Sequence, residues 1–316
     1  MNTRFSYHGT GGSLLVLQLK NALLTIVTLG IYSFWAKNNV RKFHYENTEV
    51  DGERFEYHGT GGELFRGALK AFGLIFLLSA GFGLLTAIVG GVEASVEMQW
   101  MTVLPLYLVM GVLMILAIHS TRRYRLTRSS WRTFRFSYDA RLLDFAIMML
   151  KGIILTIVTI GLYIPFFANQ RRAFFTRHVR FGSERYHYDG DAQELFGAFL
   201  RSLLLTIPTL GFHWFWYVAF KHRHFWNHTT FAGTQFRSTV NGSELLTLTL
   251  TNILLTIFTL GIGAPWAMVR TRAYYCDNMA IAGVVDWATI HQRMQPATAM
   301  GEGLAEAFDI DVGIGM

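Results

Sequence analysis

Charged residues and cysteines are scarce in this 316-residue sequence. Asp, Glu, Lys and Arg together make up 16% of the chain, whereas soluble globular domains average about a quarter. The single cysteine, Cys276, excludes an intramolecular disulfide framework and a cysteine-rich metal site. Nucleotide fingerprints, nucleic-acid-binding motifs and Ser-His-Asp or Cys-His catalytic sets are also absent from the sequence. We therefore predict no enzymatic activity, no cofactor and no nucleic-acid partner.

Hydrophobic residues, in contrast, make up 52% of the chain. Two stretches, Ala71 to Val92 and Met98 to Ile118, contain no charged residue, and each is long enough to cross a hydrocarbon layer of roughly 30 Å as a helix. The N-terminus shows no cleavable signal segment, so the first apolar run is expected to stay in the membrane. The net charge of +7 comes from Lys and Arg beside the apolar runs, which favours contact with the lipid bilayer and its anionic headgroups. We predict a multi-pass protein of the bacterial inner (cytoplasmic) membrane.

The sequence aligns with itself in five units of about 50 residues. The phrase from Leu24 to Gly30 recurs at 155–161, 205–211 and 255–261. An aromatic residue starts each unit, and the five starts are Phe5, Phe55, Phe136, Tyr186 and Phe236. In the same register, each unit ends on a basic residue, and these residues are Arg41, Arg122, Arg172, His222 and Arg272. The register predicts a repeat-built transmembrane domain over residues 1–290, followed by an acidic and apolar cytoplasmic tail over 291–316.

Each unit combines a short alternating segment with an apolar helix that is broken at a Thr-Leu-Gly element. We therefore predict an all-α integral membrane protein, a multi-pass helical bundle of five pseudo-repeats with short cytoplasmic β-hairpins. Unit two is about 31 residues longer than the others. It carries Glu93 and Glu97 in its central loop and six arginines between Arg122 and Arg135, so it is expected to leave and return on the cytoplasmic side.

The topology of the four shorter units is left open by the sequence. Each has one uncharged run that is split by a glycine, such as Gly30 in the first unit. Single kinked spans, helical hairpins and helices lying flat in the interface all fit this pattern. The basic character of every inter-unit segment favours the hairpins, because it places all of these segments in the cytoplasm.

The same motifs carry a family resemblance. The Tyr-x-Gly starts, the Thr-Leu-Gly-Ile element with a following tryptophan, and the closing segment from Gly301 to Gly313 resemble the YjgN family. The resemblance covers nearly the whole chain. It implies multi-pass residence in a bacterial inner membrane and an unknown function, and it brings no catalytic residues.

Charged residues recur at helical spacing near the apolar segments. Eight residues after the starts of units two to five stand the acids Glu63, Asp144, Glu194 and Glu244. Fifteen residues after the starts of units one to four stand the bases Lys20, Lys70, Lys151 and Arg201. Because the acid is missing only in the first unit and the base only in the last, we predict a ladder in which each base meets the next unit's acid. Snorkelling of the bases to the headgroups and a transport pathway are the alternatives, and a structural role is favoured over transport.

Threonine pairs and histidines are the remaining polar candidates. The pairs that begin at Thr25, Thr156, Thr206 and Thr256 are interpreted as bonding back to their own helices rather than lining a conduit. Among the histidines His213, His222, His224 and His228, the spacing of six between His222 and His228 suits no common helical ligand pair, and no cysteine or carboxylate lies beside them, so no metal site is predicted. Two functional hypotheses remain, namely transport of a small or amphipathic solute and a non-transporting scaffold that contacts lipid or envelope proteins.

Overall fold

The computed structural model of the protein describes residues 2–90, 96–283, 285 and 290. Within these residues, ten strands and ten helices repeat the order strand, helix, helix, strand five times. The strands are β1 (Asn2–Tyr7), β2 (Thr48–Val50), β3 (Glu53–Tyr57), β4 (Ser129–Trp131), β5 (Phe134–Tyr138), β6 (Val179–Phe181), β7 (Glu184–Tyr188), β8 (Thr229–Phe231), β9 (Thr234–Ser238) and β10 (Met279–Ala282). The helices are α1 (Gly11–Val27), α2 (Ser33–Glu46), α3 (Gly61–Gly90), α4 (Val96–Thr127), α5 (Leu142–Val158), α6 (Ile164–Arg177), α7 (Ala192–Leu204), α8 (Trp214–Asn227), α9 (Gly242–Phe258) and α10 (Ala264–Asp277).

The ten strands form a closed antiparallel barrel. Each strand pairs with its neighbours in sequence, and β1 closes the barrel by pairing with β10. Closure matters because strands of three to six residues would otherwise leave short, unpaired edges of marginal stability. At the β2–β3 turn, Asp51 and Gly52 have φ values of 53° and 77°, the left-handed conformation that a tight two-residue turn requires.

The helices form a closed ring on one end of the barrel. Each helix packs against the helices before and after it, and α10 packs against α1. Each unit contributes two consecutive helices, which together connect two strands that are adjacent in the barrel. All five pairs therefore leave and return at the same barrel end, and the tight strand-to-strand turns lie at the other end. The four shorter units are helical hairpins rather than single kinked spans.

The Thr-Leu-Gly element builds the tip of each shorter hairpin. In the first hairpin, the Thr28 hydroxyl donates to the Leu24 carbonyl at 2.8 Å and accepts from the Tyr32 amide at 2.9 Å. Leu29 and Gly30 then turn the chain with φ values of 52° and 93°. The leucine or isoleucine of every tip is exposed, at 95% for Leu29, 94% for Ile160, 86% for Leu210 and 93% for Leu260. The ring thus presents apolar tips on the side away from the barrel, a surface typical of contact with lipid or another apolar partner.

In the part of the chain that the structure describes, one helix is both long and apolar enough to cross a membrane. It is the Gly61–Leu84 part of α3, which has 24 residues and a mean hydropathy of 1.7. The apolar helices Gly11–Val27 and Gly242–Phe258 are shorter than the roughly 20 residues that a span needs.

The predicted all-α fold class is wrong, because the β-hairpins are not separate appendages of a helical bundle. They join edge to edge into the closed ten-stranded barrel. The pairing that achieves this is non-local, as in β3 with β4, where Phe55 lies opposite Trp131 across the whole α3–α4 insertion. The hydrophobic periodicity of a sequence indicates which residues form strands, but it does not indicate which distant strands pair with each other. The predicted loop at Glu93 and the predicted tail over 291–316 lie outside the described residues.

Candidate functional site

The five sequence starts lie on one belt inside the barrel. Each start occupies an odd-numbered strand, directly opposite a residue of the following even-numbered strand. The pairs are Phe5↔Val50, Phe55↔Trp131, Phe136↔Phe181, Tyr186↔Phe231 and Phe236↔Ile281. The even-strand partners belong, with Val285 and Ile290, to a buried apolar core. Because Val50, Trp131, Phe181 and Phe231 are the last strand residues before the tight turns, this core fills the turn end of the barrel.

The five repeat-end basic residues come together at the opposite end, where the helices meet the barrel. They lie beside barrel residues two positions after the starts, in the pairs Arg41–Tyr57, Arg122–Tyr138, Arg172–Tyr188, His222–Ser238 and Arg272–Tyr7. Arg41 donates to the Tyr57 hydroxyl at 3.1 Å, and His222 Nδ1 lies 2.9 Å from the Ser238 hydroxyl. We call these five residues the basic ring. The Arg272–Tyr7 pair joins the last unit to the first, as the closure of the barrel requires.

Arg122 and Arg172 hold positive charge in the interior, and the described residues supply no compensating acid. Among the described residues, neither guanidinium pairs with a carboxylate, and neither Nε has a hydrogen-bond partner. Arg172 donates to the Thr229 hydroxyl at 3.1 Å. Both guanidinium groups also contact aromatic rings, since Arg122 lies 4.1 Å from the Phe175 ring centroid and Arg172 lies 4.5 Å from that of Trp226. Burial lowers the pKa of each arginine to about 10, so both remain charged at neutral pH.

A cavity of about 160 Å³ lies inside the barrel directly at the two arginines. We call it the axial cavity, and its lining includes all five starts together with Arg122, Arg172 and the thiol residue Cys276. Apart from the two guanidinium groups, most of this lining is aromatic or aliphatic. Burial raises the pKa of Cys276 to about 11, which fits a thiol facing apolar surroundings. The cavity therefore combines cationic groups with an apolar wall.

A larger space of about 830 Å³ lies above the axial cavity. We call it the vestibule, and residues of α2, α4, α9 and α10 line it. Since α2, α4 and α10 are not neighbours in the helical ring, a space that touches all three lies inside the ring. Its cationic lining residues are Lys37, Arg41, Arg125 and Arg272. Tyr45 lines both spaces, so the vestibule and the axial cavity are adjacent.

The residues of the predicted charge ladder lie on the surface of the helical ring. The side chains of Lys20, Lys70, Lys151 and Arg201 are exposed, and in the described part of the chain none of them forms a hydrogen bond or an ion pair. Three acids, in contrast, contact the second helix of their own unit or the residue after it, and Glu244 does so through Tyr274. Glu63 accepts from the Tyr124 hydroxyl at 2.7 Å and pairs with Arg128, and Glu194 lies 3.1 Å from His224. Asp144 and Glu244 are exposed, and cross-unit pairing remains a prediction.

Sequence reasoning missed two features of these sites. The first is the layer of barrel residues beside the basic ring. The Tyr-x-Gly motif could have indicated it, because the tyrosine lies two residues after the start and so on the same face of the strand. The carboxylate beside His224 carried no local signal, because Glu194 is 30 residues away in sequence. Only the packing of α7 against α8 brings the two together.

Comparison with known proteins gives a family and no solved structure. The model of the family described as "Bacterial protein of unknown function (DUF898)" matches residues 2–219 and 203–307. The chain is similar to the inner membrane protein YjgN of Escherichia coli O157:H7, with 29% identity over 139 residues, which is 43% of this chain and 31% of the relative. No solved structure matches the chain.

Two further relatives bear the same name. The Escherichia coli K12 protein is 46% identical over 50 residues, which cover 16% of this chain and 13% of the relative. The Salmonella typhimurium protein is 32% identical over 101 residues, which cover 28% and 25%. The chain thus spans about a third or less of each curated relative, and their names support an inner-membrane location. Because the family model matches most of its length, the chain belongs to the DUF898 family, a YjgN-like bacterial inner-membrane family of unknown function.

Proposed function

We propose that this inner-membrane protein binds an anionic, amphipathic solute on the axis of its barrel. The observation that carries the proposal is the pair Arg122 and Arg172, which line an apolar cavity and lack a carboxylate partner within the described residues. An uncompensated buried charge costs several kcal/mol. An anion between the two guanidinium groups would remove that cost, and the apolar wall below would hold a hydrocarbon chain.

The chemistry of the basic residues favours an oxyanion headgroup. Guanidinium groups bind carboxylate and phosphate through paired, charge-assisted hydrogen bonds. The free Nε atoms of Arg122 and Arg172 are donors available for such bonds. The cationic lining of the vestibule by Lys37, Arg125 and Arg272 would raise the local concentration of anions before they reach the axial cavity.

The proposal includes a multi-pass placement in the membrane in which the units insert to different depths. The exposed bases, such as Lys20, would mark the headgroup level by snorkelling. From Lys20 to Thr28 a helix rises about 12 Å, which reaches roughly to the middle of a 30 Å hydrocarbon layer. The four shorter hairpins would therefore enter one leaflet, whereas the longer α3–α4 pair would cross the bilayer. The basic helix ends favour a cytoplasmic barrel.

Binding and exchange with the membrane are better supported than conduction through the barrel. Bulky residues including Trp131, Phe181 and Phe231 fill the turn end of the barrel, so a solute in the axial cavity would return through the helical ring. This favours a lipid-interacting role without transport. Movement of the solute across the membrane is the less favoured role. The proposal contains no chemical step and no enzymatic activity.

The test is binding of dodecyl phosphate to the full chain in dodecyl maltoside micelles, measured by native mass spectrometry and thermal unfolding. We expect about one bound ligand per chain and a higher Tm. The double variant Arg122→Gln/Arg172→Gln should bind at least about tenfold more weakly, since each charge-assisted hydrogen bond contributes about 1.5–3 kcal/mol. Arg237→Gln is the matched control, because Arg237 is exposed and points away from the inward-facing Phe236. Saturable binding that is equal in the double variant, or absent in the wild-type protein, would contradict the proposal.

A further inference from the structure

We propose that Glu194, His224 and His228 form a site for a divalent transition metal, with Zn²⁺ as the best match. The site is separate from the axial cavity and lies where α7 begins and α8 ends. It does not depend on the function proposed above. Two histidines and one carboxylate are a common donor set for zinc, and three protein ligands leave a fourth position open to water or another ligand.

The geometry brings the three side chains to one point. His224 and His228 are four residues apart on α8 and therefore share a helix face, with ring centroids 4.7 Å apart. Glu194 lies in the first turn of α7, and its Oε2 is 3.1 Å from His224 Nδ1. One ligand atom from each of the three residues lies within 4.8 Å of the others. Small side-chain adjustments would bring all three to the roughly 2.0–2.2 Å bonds of a zinc ion.

The surroundings also suit a metal site. The His224 side chain is 1% exposed, and its Nδ1 faces the Glu194 carboxylate, so this ring nitrogen is the one available to the metal. Asp189 Oδ1 lies 3.1 Å from His228 Nδ1. This carboxylate can orient the His228 ring and leave Nε2 for the metal, as second carboxylates do in zinc sites.

In unit two, an arginine at the equivalent place supplies the positive charge that a metal would supply in unit four. There the acid is Glu63, and Tyr124 and Arg128 stand at the positions of His224 and His228. Arg128 pairs with Glu63, and Tyr124 donates to it, so that acid has its own cation. In unit four, two imidazoles take these places, and among the described residues no lysine or arginine pairs with Glu194. A bound divalent cation would supply the missing positive charge.

This equivalence gives a variant that removes the ligands and keeps a native arrangement. His224→Tyr/His228→Arg copies the unit-two cluster into unit four, so the variant should fold with an unchanged Tm in the presence of a chelator. We expect the wild-type full chain in micelles to bind one Zn²⁺ with a Kd of about 10 µM or tighter by titration calorimetry, and to gain thermal stability. Co²⁺ should give the visible absorption of a tetrahedral site. The double variant should lose all three signals.

His187→Asn is the control, because His187 is exposed on the outer side of β7 and should not affect zinc binding. Glu194→Gln should weaken binding at least about tenfold, as expected when one of three ligands is lost. Absence of zinc binding by the wild-type protein would overturn the proposal. Undiminished binding by the folded double variant would overturn it as well, since the zinc would then be held elsewhere.

Discussion

Glycines at the starts of α1, α3 and α9 set how closely neighbouring units pack. Gly61 begins α3, and a Cβ atom at this position would lie 2.4 Å from Trp35 Cγ and 2.7 Å from Trp35 Cα. Equivalent contacts join Gly11 to Trp266 and Gly242 to Trp216. The Gly11–Trp266 contact connects the first unit to the last, so the same close approach that spaces the units also closes the ring.

A substitution at Gly61 tests this packing against a control one residue away. Gly61→Ala should destabilise the protein by about 1–3 kcal/mol, because a methyl group there overlaps backbone as well as ring atoms of Trp35. Gly62→Ala meets no atom within 4 Å, and it should be neutral or stabilising by up to about 1 kcal/mol, since alanine favours the helix. Unfolding of both variants in detergent measures the difference. Equal effects of the two substitutions would contradict close packing at Gly61.

The break in each short unit's helix follows from local sequence, whereas the barrel does not. The Thr-Leu-Gly element ends one helix and turns the chain through Leu29 and Gly30, and both the break and its position were predictable. The turn at Asp51 and Gly52 likewise indicated a β-hairpin. Pairing of β1 with β10, however, joins residues about 280 positions apart. Short strands of this kind look the same in sequence whether they form isolated hairpins or a closed barrel, so the fold class was missed.

The depth of the hairpin tips can be measured with a fluorophore at one tip. In a Cys276→Ala background, bimane at Leu210→Cys should be quenched by lipids brominated on their acyl chains, because the tip is proposed to lie in the hydrocarbon layer. Bimane at Thr133→Cys, in the exposed β4–β5 turn, should not be quenched. Similar quenching at both positions, or none at Leu210→Cys in reconstituted vesicles, would rule out insertion of the tips.

The whole molecule is organised along one axis, from the apolar tips through the vestibule and the basic ring to the axial cavity and the packed turn end. Sequence register predicted both sets of residues that define this axis, the five starts and the five repeat-end bases. It did not predict that the five starts share a cavity with Arg122 and Arg172. Each base meets the barrel layer of the next unit, as Arg41 meets Tyr57, and the last such contact, Arg272 with Tyr7, depends on closure of the barrel.

The central claim is that an anionic amphiphile binds in the axial cavity, and Cys276, the only thiol of the chain, reports on that position directly. Cys276 lines the cavity, and its pKa of about 11 makes its reaction with N-ethylmaleimide at pH 8 slow enough to follow. Dodecyl phosphate at about ten times its Kd should slow this reaction about tenfold, with no slowing in Arg122→Gln/Arg172→Gln. An unchanged rate of Cys276 alkylation while dodecyl phosphate is bound to the wild-type protein would contradict the account.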